Sequence, residues 1–267
     1  MREKITSVAN LRIKELVRLR NSSKHRAKLG YFVVEGITEI KALIEAGKEL
    51  EGIFFSMESL SDQNLNNLVA GLDPAIPQFE LSIEAMRKIS YTKSSHSIVG
   101  MTKTWKLDLP PVDKKIPPVT LVLDEVEKPG NLGAMLRTAE AMGVEQVVLS
   151  DSCVDFFNPN VVRSSRGLFS VFPVAQGTKA EVWEWLKKSH FQVVGTSSNY
   201  GKSIHEFPFS LPLALIMGNE KMGLGSFWLE HIQNFVAIPM LGSASSLNLN
   251  AAAACSLMEC NRLTGRV

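Results

Sequence analysis

Apolar positions along the chain fall into two alternating series separated by a proline-rich stretch. In the first series, Leu11, Ile13, Leu16, Val17 and Leu19 approximate helical spacing, with Arg12, Lys14, Arg18 and Arg20 between them. Asn21-Ser22-Ser23 ends that helix, and a basic run from Lys24 to Lys28 follows. Tyr31 to Val34 reads as a strand, and Glu35-Gly36 turns into a helix over 37–46 that Gly47 closes. Gly52 to Ser56 reads as a strand, Leu81 to Ile89 as a helix and Ile98 to Met101 as a strand. The pattern predicts a first α/β domain over residues 1–106.

Residues 107–118, LDLPPVDKKIPP, hold four prolines. Proline lacks a backbone donor and has a fixed φ, so this stretch is predicted to be a stiff, extended linker. A second series begins at residue 119. Strands are predicted at Val119 to Val126, Gln146 to Ser150, Phe191 to Gly195, Leu213 to Met217 and Phe235 to Ile238. Helices are predicted from about Asn131 to Met142, Lys179 to Ser189 and Asn248 to Leu263. Strands alternating with helices imply a parallel sheet covered on both faces, here a second domain over 119–267.

Composition narrows the class. Hydrophobic residues make up 45% and charged residues 21%, enough apolar mass for a folded core. The polar start Met1-Arg2-Glu3-Lys4 does not open a signal peptide. The longest strongly apolar run, Leu211 to Met217, is too short to cross a bilayer. A soluble cytoplasmic protein with no membrane contact is expected. Cys153, Cys255 and Cys260 form no CxxC pair and read as buried thiols in a reducing compartment, with no metal site expected. The net charge of +2 hides an asymmetry: residues 1–30 carry nine Lys or Arg against Glu3 and Glu15. Such a basic arm fits either a polyanion partner or a solvated helix face.

Three segments carry candidate chemistry. PGNLGAMLRTA, residues 129–139, follows a strand; Gly130 and Gly133 allow a sharp turn and a close approach. Asn131 there suits either a ligand contact or a helix N-cap, and Arg137 either an anion contact or a surface ion pair. MGNEKMGLG, residues 217–225, places three glycines and Glu220 at the end of an apolar strand, where ligand loops of open α/β sheets lie. The third segment, IPMLGSASSLNLNAAAA over 238–254, puts Ser246 and Asn248 at the head of a helix, where they could also simply cap it. The first segment lacks G-x-G-x-x-G, which argues against a dinucleotide enzyme.

In this order and spacing, NLGAMLRTA, GNEKMGLG and IPMLGSASSLNLNAAAA resemble the SPOUT superfamily of RNA methyltransferases, in its SpoU (TrmH-like) branch. Asn158-Pro159 through Arg163-Ser164-Ser165-Arg166-Gly167 also looks like a family feature. The first half, with YFVVEGITEIKALIEAG as its best match, is similar to the small ribosomal-protein-like α/β domain that many members carry.

The resemblance implies a catalytic half with a parallel sheet and a deep trefoil knot, preceded by an RNA-binding domain. It implies ribose 2'-O-methylation of RNA with S-adenosylmethionine, most often ribosomal RNA, by a homodimer. Transfer RNA as substrate and a non-catalytic ribosome-assembly factor are the alternatives. It assigns catalysis to Asn131, Arg137, Glu220, Ser246 and Asn248, and cofactor contacts to Thr196, Gly218, Ile238, Met240 and Leu247. Arg12, Arg18, Arg20, Lys24, Arg26 and Lys28 are candidate phosphate contacts, with Arg163 and Arg166 nearer the active site. Tyr91 and Trp105 are the exposed-looking aromatics of the first half. One position departs from the family: Asn250 stands where a small hydroxyl residue is common.

Overall fold

A computed structural model describes residues 2–56, 58, 63–91, 98–112 and 115–266. It divides into two compact units, Met1–Lys106 with Asp155–Val171, and Leu107–Val154 with Phe172–Val267.

The first unit contains β1 (Glu3–Ile5), α1 (Leu11–Asn21), α2 (Ser23–Leu29), β2 (Tyr31–Glu35), α3 (Ile37–Glu45) and β3 (Leu50–Ser56). It continues with α4 (Gln63–Ala70), β4 (Gln78–Leu81), α5 (Ile83–Ile89) and β5 (Ile98–Lys103). The sheet order is β1-β4-β3-β5-β2, parallel on the β1 side and antiparallel where β5 meets β3 and β2. Helix α1 buries Ile13, Leu16 and Leu19 of the predicted stripe, while Val17 is half-buried and Leu11, in its first turn, is exposed; Asn10 caps it by accepting from the Arg12 amide. The basic run after it is itself helical. Ser22 caps α2 by accepting from the His25 amide, and Gly30 at φ +72° ends it.

The helix expected to begin at Leu81 begins at Ile83. Leu81 instead closes β4, whose Phe79 and Leu81 alternate into the core, and Ser82 caps α5. Trp105, expected to be exposed, packs among rings: Phe157 lies 4.9 Å from it at a right angle and Phe169 stacks at 6.2 Å. Phe157 and Phe169 arrive with a later segment, 155–171, which holds α7 (Pro159–Ser164) and α8 (Leu168–Val171). That segment was expected within the second domain; its contacts group it with the first unit.

The second unit contains β6 (Val119–Asp124), α6 (Pro129–Ala141), β7 (Gln146–Ser150), β8 (Val174–Gly177), α9 (Lys179–Lys188) and β9 (Gln192–Thr196). It ends with β10 (Lys202–Ser203), β11 (Leu213–Met217), α10 (Ser226–His231), β12 (Asn234–Ala237) and α11 (Leu249–Leu263). Among the described residues every pairing in its sheet, order β10-β12-β9-β11-β6-β7-β8, is parallel. Strands β6, β7 and β11 are buried at every position, as a sheet covered on both faces requires.

The proline-rich stretch is not a free linker. Asp113 and Lys114 lie outside the described residues, but the rest groups with the second unit. Gln176 and Leu213 donate backbone hydrogen bonds to the Leu107 and Pro118 carbonyls, and Leu109 and Ile116 pack on its core. Of the three thiols expected to be buried, only Cys260 is. Cys153, in the loop after β7, and Cys255, on the outer face of α11, are exposed. Burial pushes the Cys260 thiol up to about 12.

Candidate functional site

The loop after β11 is shaped by its glycines. At Gly218 an added Cβ would lie 2.2 Å from the Gly223 carbonyl carbon, so only glycine lets the loop double back. Gly223, at φ +68°, donates 2.9 Å to the Asn219 carbonyl. The Asn219 side chain holds both sides of the turn. Its Oδ1 accepts from the Lys221 amide at 2.8 Å, and its Nδ2 donates to the Glu125 carbonyl at 3.2 Å and to Glu127 at 3.1 Å. Asn219 was not singled out from the sequence. An asparagine between glycine and an acid, after a strand, is the signature of such an Asx turn.

Next to it, Glu220 Oε1 accepts from Asn131 Nδ2 at 2.5 Å, and Oε2 is buried without a hydrogen-bond partner among the described residues. Asn131 is therefore not a cap. Helix α6 starts two residues earlier, with Pro129 in its first turn and Lys128 as N-cap. The asparagine sits one position short of a full turn in, where its amide reaches across to the β11 loop.

The loops after β9, β11 and β12, with one face of α11, enclose a cavity of about 310 Å³ within the second unit. Thr196, Gly218, Ile238, Met240 and Leu247 all line it, and so do Glu220 and Ser246. Thr196 also donates to the Ile216 carbonyl at 3.2 Å, tying β9 to β11. Leu249, Ala252 and Ser256, spaced to share one helix face, complete the wall; that face was missed in the sequence because the same spacing serves any core.

Asn131, Arg137 and Asn248 do not line the cavity. Asn248 caps α11, accepting from the Ala251 amide at 2.8 Å. Arg137 is exposed and makes no hydrogen bond or ion pair among the described residues.

A glycine cradle, aliphatic walls and clustered polar groups fit a ligand with one flat apolar part and one charged part, as S-adenosylmethionine is. Among the described residues no group of three His, Cys, Asp or Glu side chains converges as metal ligands would, and no helix is long and apolar enough to cross a membrane.

In the first unit the candidate cations separate into two groups. Arg26 is buried and fully engaged: it donates to Asp155 at 2.7 Å and to the carbonyls of Leu19 at 2.5 Å and Arg20 at 3.1 Å. It cannot also reach a phosphate. Arg20 donates to the Lys88 and Ser90 carbonyls, and Arg12 lies over the Phe79 ring at 4.7 Å. By contrast, Arg18, Lys24, Lys28, Arg163 and Arg166 are exposed, with no ion pair among the described residues. Arg87 and Lys88, also exposed, were not singled out, and Tyr91 is 46% exposed.

Residues 118–258 match the SpoU rRNA Methylase family, and residues 10–100 match the MRM3-like substrate binding domain. A 23S rRNA (guanosine(2553)-2'-O)-methyltransferase of Bacillus subtilis is 31% identical over 94% of this chain and 96% of its own. A crystal structure of an RNA 2'-O ribose methyltransferase matches with a TM-score of 0.85 at 34% identity, covering 97% of this chain and 98% of the other. The SpoU methyltransferase AviRb from Streptomyces viridochromogenes, in complex with AdoMet, matches with a TM-score of 0.86 at 25% identity over 95% and 97% of the two chains. With a family match over more than half its length and whole-chain relatives of the same kind, this chain belongs to the SpoU rRNA methylase family.

Proposed function

We propose that the protein transfers a methyl group from S-adenosylmethionine to a ribose 2'-hydroxyl of ribosomal RNA in the cytoplasm. The observation that carries this reading is the convergence of Thr196, Gly218, Ile238, Met240 and Leu247 on one cavity, with Glu220 and Ser246 in its wall. The substrate class rests on relatives named for 23S ribosomal RNA, among them those of Bacillus subtilis and Streptomyces viridochromogenes.

The bound cofactor would supply an electrophilic methyl on a sulfonium. What the chain must supply is a held and activated hydroxyl, and positioning alone contributes several kcal/mol, roughly, to such a step. The Asn131–Glu220 contact locks the start of α6 to the β11 loop, so these two side chains hold the wall beside the reacting groups. Asn248 sets the direction of α11 and keeps Ser246 and Leu247 at the cavity. Arg137 stays protonated, so it acts as a cation and not as a base. It grips a phosphate next to the target ribose and stabilises the developing alkoxide, while a phosphate oxygen or water takes the proton.

An Arg137 that is exposed, without a partner among the described residues and outside the cavity wall favours a homodimer in which a second copy brings its arginine to the site. We also read the C-terminal segment as threaded through a deep trefoil knot. Loops from three neighbouring strands of the parallel sheet, β12, β9 and β11, meeting at one cavity with α11 following, support that topology. RNA lies on the first unit through Arg18, Lys24, Lys28, Arg163 and Arg166, with Tyr91 as a stacking surface for an unpaired base.

The test is methyl transfer from labelled S-adenosylmethionine to ribosomal RNA from a strain lacking this gene, followed by nuclease digestion. One labelled 2'-O-methylnucleotide is expected. Tight cofactor binding with no transfer to intact subunits or to their purified RNA would refute the enzymatic reading.

A further inference from the structure

Asn250, the residue that departs from the family pattern, has a partner. Thr138 Oγ1 donates to Asn250 Oδ1 at 2.8 Å, in a part-buried contact between α6 and α11. Thr138 is the residue after Arg137, and Asn250 is two residues past the cap Asn248. Helix geometry turns each successive residue by about 100°. Leu249, Ala252 and Ser256 therefore face the cavity, while Asn250 faces α6.

Besides its buried apolar face, α6 is tied by three side-chain hydrogen bonds among the described residues. Asn131 meets Glu220 in its first turn, Thr138 meets Asn250 in its third, and the Met142 carbonyl at its end accepts from Asn261 Nδ2 at 2.7 Å. Only the middle contact lies beside Arg137. The acceptor oxygen of an asparagine stands one bond farther from Cβ than a serine hydroxyl does, so at this position the carboxamide reaches farther toward Thr138 than a small hydroxyl would.

We propose that Thr138 and Asn250 form a positioning pair that fixes the rotation of α6 and so the direction in which Arg137 is presented. The proposal rests on the methyltransferase reading and assigns a role in it to the one motif position that departs from the family. Neither residue touches the cofactor cavity, so the pair acts on turnover and not on cofactor binding.

The experiment is steady-state methyl transfer to ribosomal RNA from the deletion strain, with cofactor affinity measured by calorimetry, for the full-length protein and four variants. Thr138→Val keeps the shape and removes the hydroxyl; it should lower kcat about tenfold with cofactor affinity unchanged. Asn250→Ala should do the same, and the double variant should be no worse than either single one, because both remove one contact. Thr138→Ser keeps the donor and should retain most activity. Wild-type kcat in Thr138→Val overturns the proposal. So do losses that multiply in the double variant, or a Thr138→Ser as impaired as Thr138→Val. A fall in kcat and cofactor affinity together marks a merely structural contact and also overturns it. A wild-type protein that binds cofactor and transfers nothing defeats the methyltransferase reading itself, and this proposal with it.

Discussion

Folding treats the residues singled out from the two halves of the sequence differently. In the first, a run of cations close in sequence is split by folding: Arg26 is enclosed and paired with Asp155, while Lys24 and Lys28, two residues to either side on α2, are exposed. In the second, residues far apart in sequence are gathered. Asn131 meets Glu220 across 89 positions, and Thr138 meets Asn250 across 112. Counting charge along a segment overstates how much of it a partner can reach. Ordered motifs, each weak alone, understate how tightly their residues converge.

The largest expected effect separates the gathered residues from their surroundings. Arg137→Ala should lower kcat by about a hundredfold to a thousandfold with cofactor affinity retained, the size of loss seen when a donor to developing negative charge is removed. Arg137→Lys keeps the charge and loses the planar fork, and should recover only part of this. Single-turnover methyl transfer checks both, and a fully active Arg137→Lys would remove the geometric argument for the guanidinium.

The contrast within α2 comes next. Arg26→Ala leaves Asp155 and two carbonyls without their donor and should destabilise the protein by about 3 kcal/mol, read by denaturant unfolding. Reversing Lys24 and Lys28 to Glu should leave that stability nearly unchanged. It should weaken RNA binding about tenfold at low salt and make the salt dependence shallower. If Arg26→Ala altered RNA affinity alone, the division of the basic run drawn above would be wrong.

Smallest is an acid effect confined to the second unit. Hydrogen bonds from Arg262 and then His205 hold the Glu259 carboxyl at about 2, below its ordinary value of 4.5. A depressed carboxylate contributes stability above its unfolded value, and that contribution is lost as pH falls from about 4.5 toward about 2. Arg262 and His205 are largely exposed, so solvent screening keeps the effect modest. Thermal unfolding of Glu259→Gln should show a flatter profile than wild type over that pH window and a parallel, slightly lower profile above it.

Much of this was legible in the chain. Val119 to Val126, Gln146 to Ser150 and Leu213 to Met217 read as strands because short apolar runs between turn residues fit few other structures, and only the first was drawn too long, ending at Asp124. The positions of Gly218 and Glu220 followed from three ordered motifs, since a glycine-bearing loop after a buried strand sits at the end of a parallel sheet. Short elements were not legible. The four residues of β4 and the six of α7 are stabilised by what they pack on, and their own propensities are weak.

What the sequence by itself determined was the class of the protein: α/β throughout, the longer strands and helices, and most of the residues from which a site could be built. Only the tertiary structure decided which of these residues were available. Periodicity and composition are local properties, whereas burial and hydrogen bonding depend on neighbours brought from elsewhere in the chain. Asp155 enclosed Arg26 and Phe157 covered Trp105, both from a segment expected in the other domain. Thr138 gave Asn250 a partner that no pattern around residue 250 announces, because hydrogen-bond reach is set in space and not along the chain.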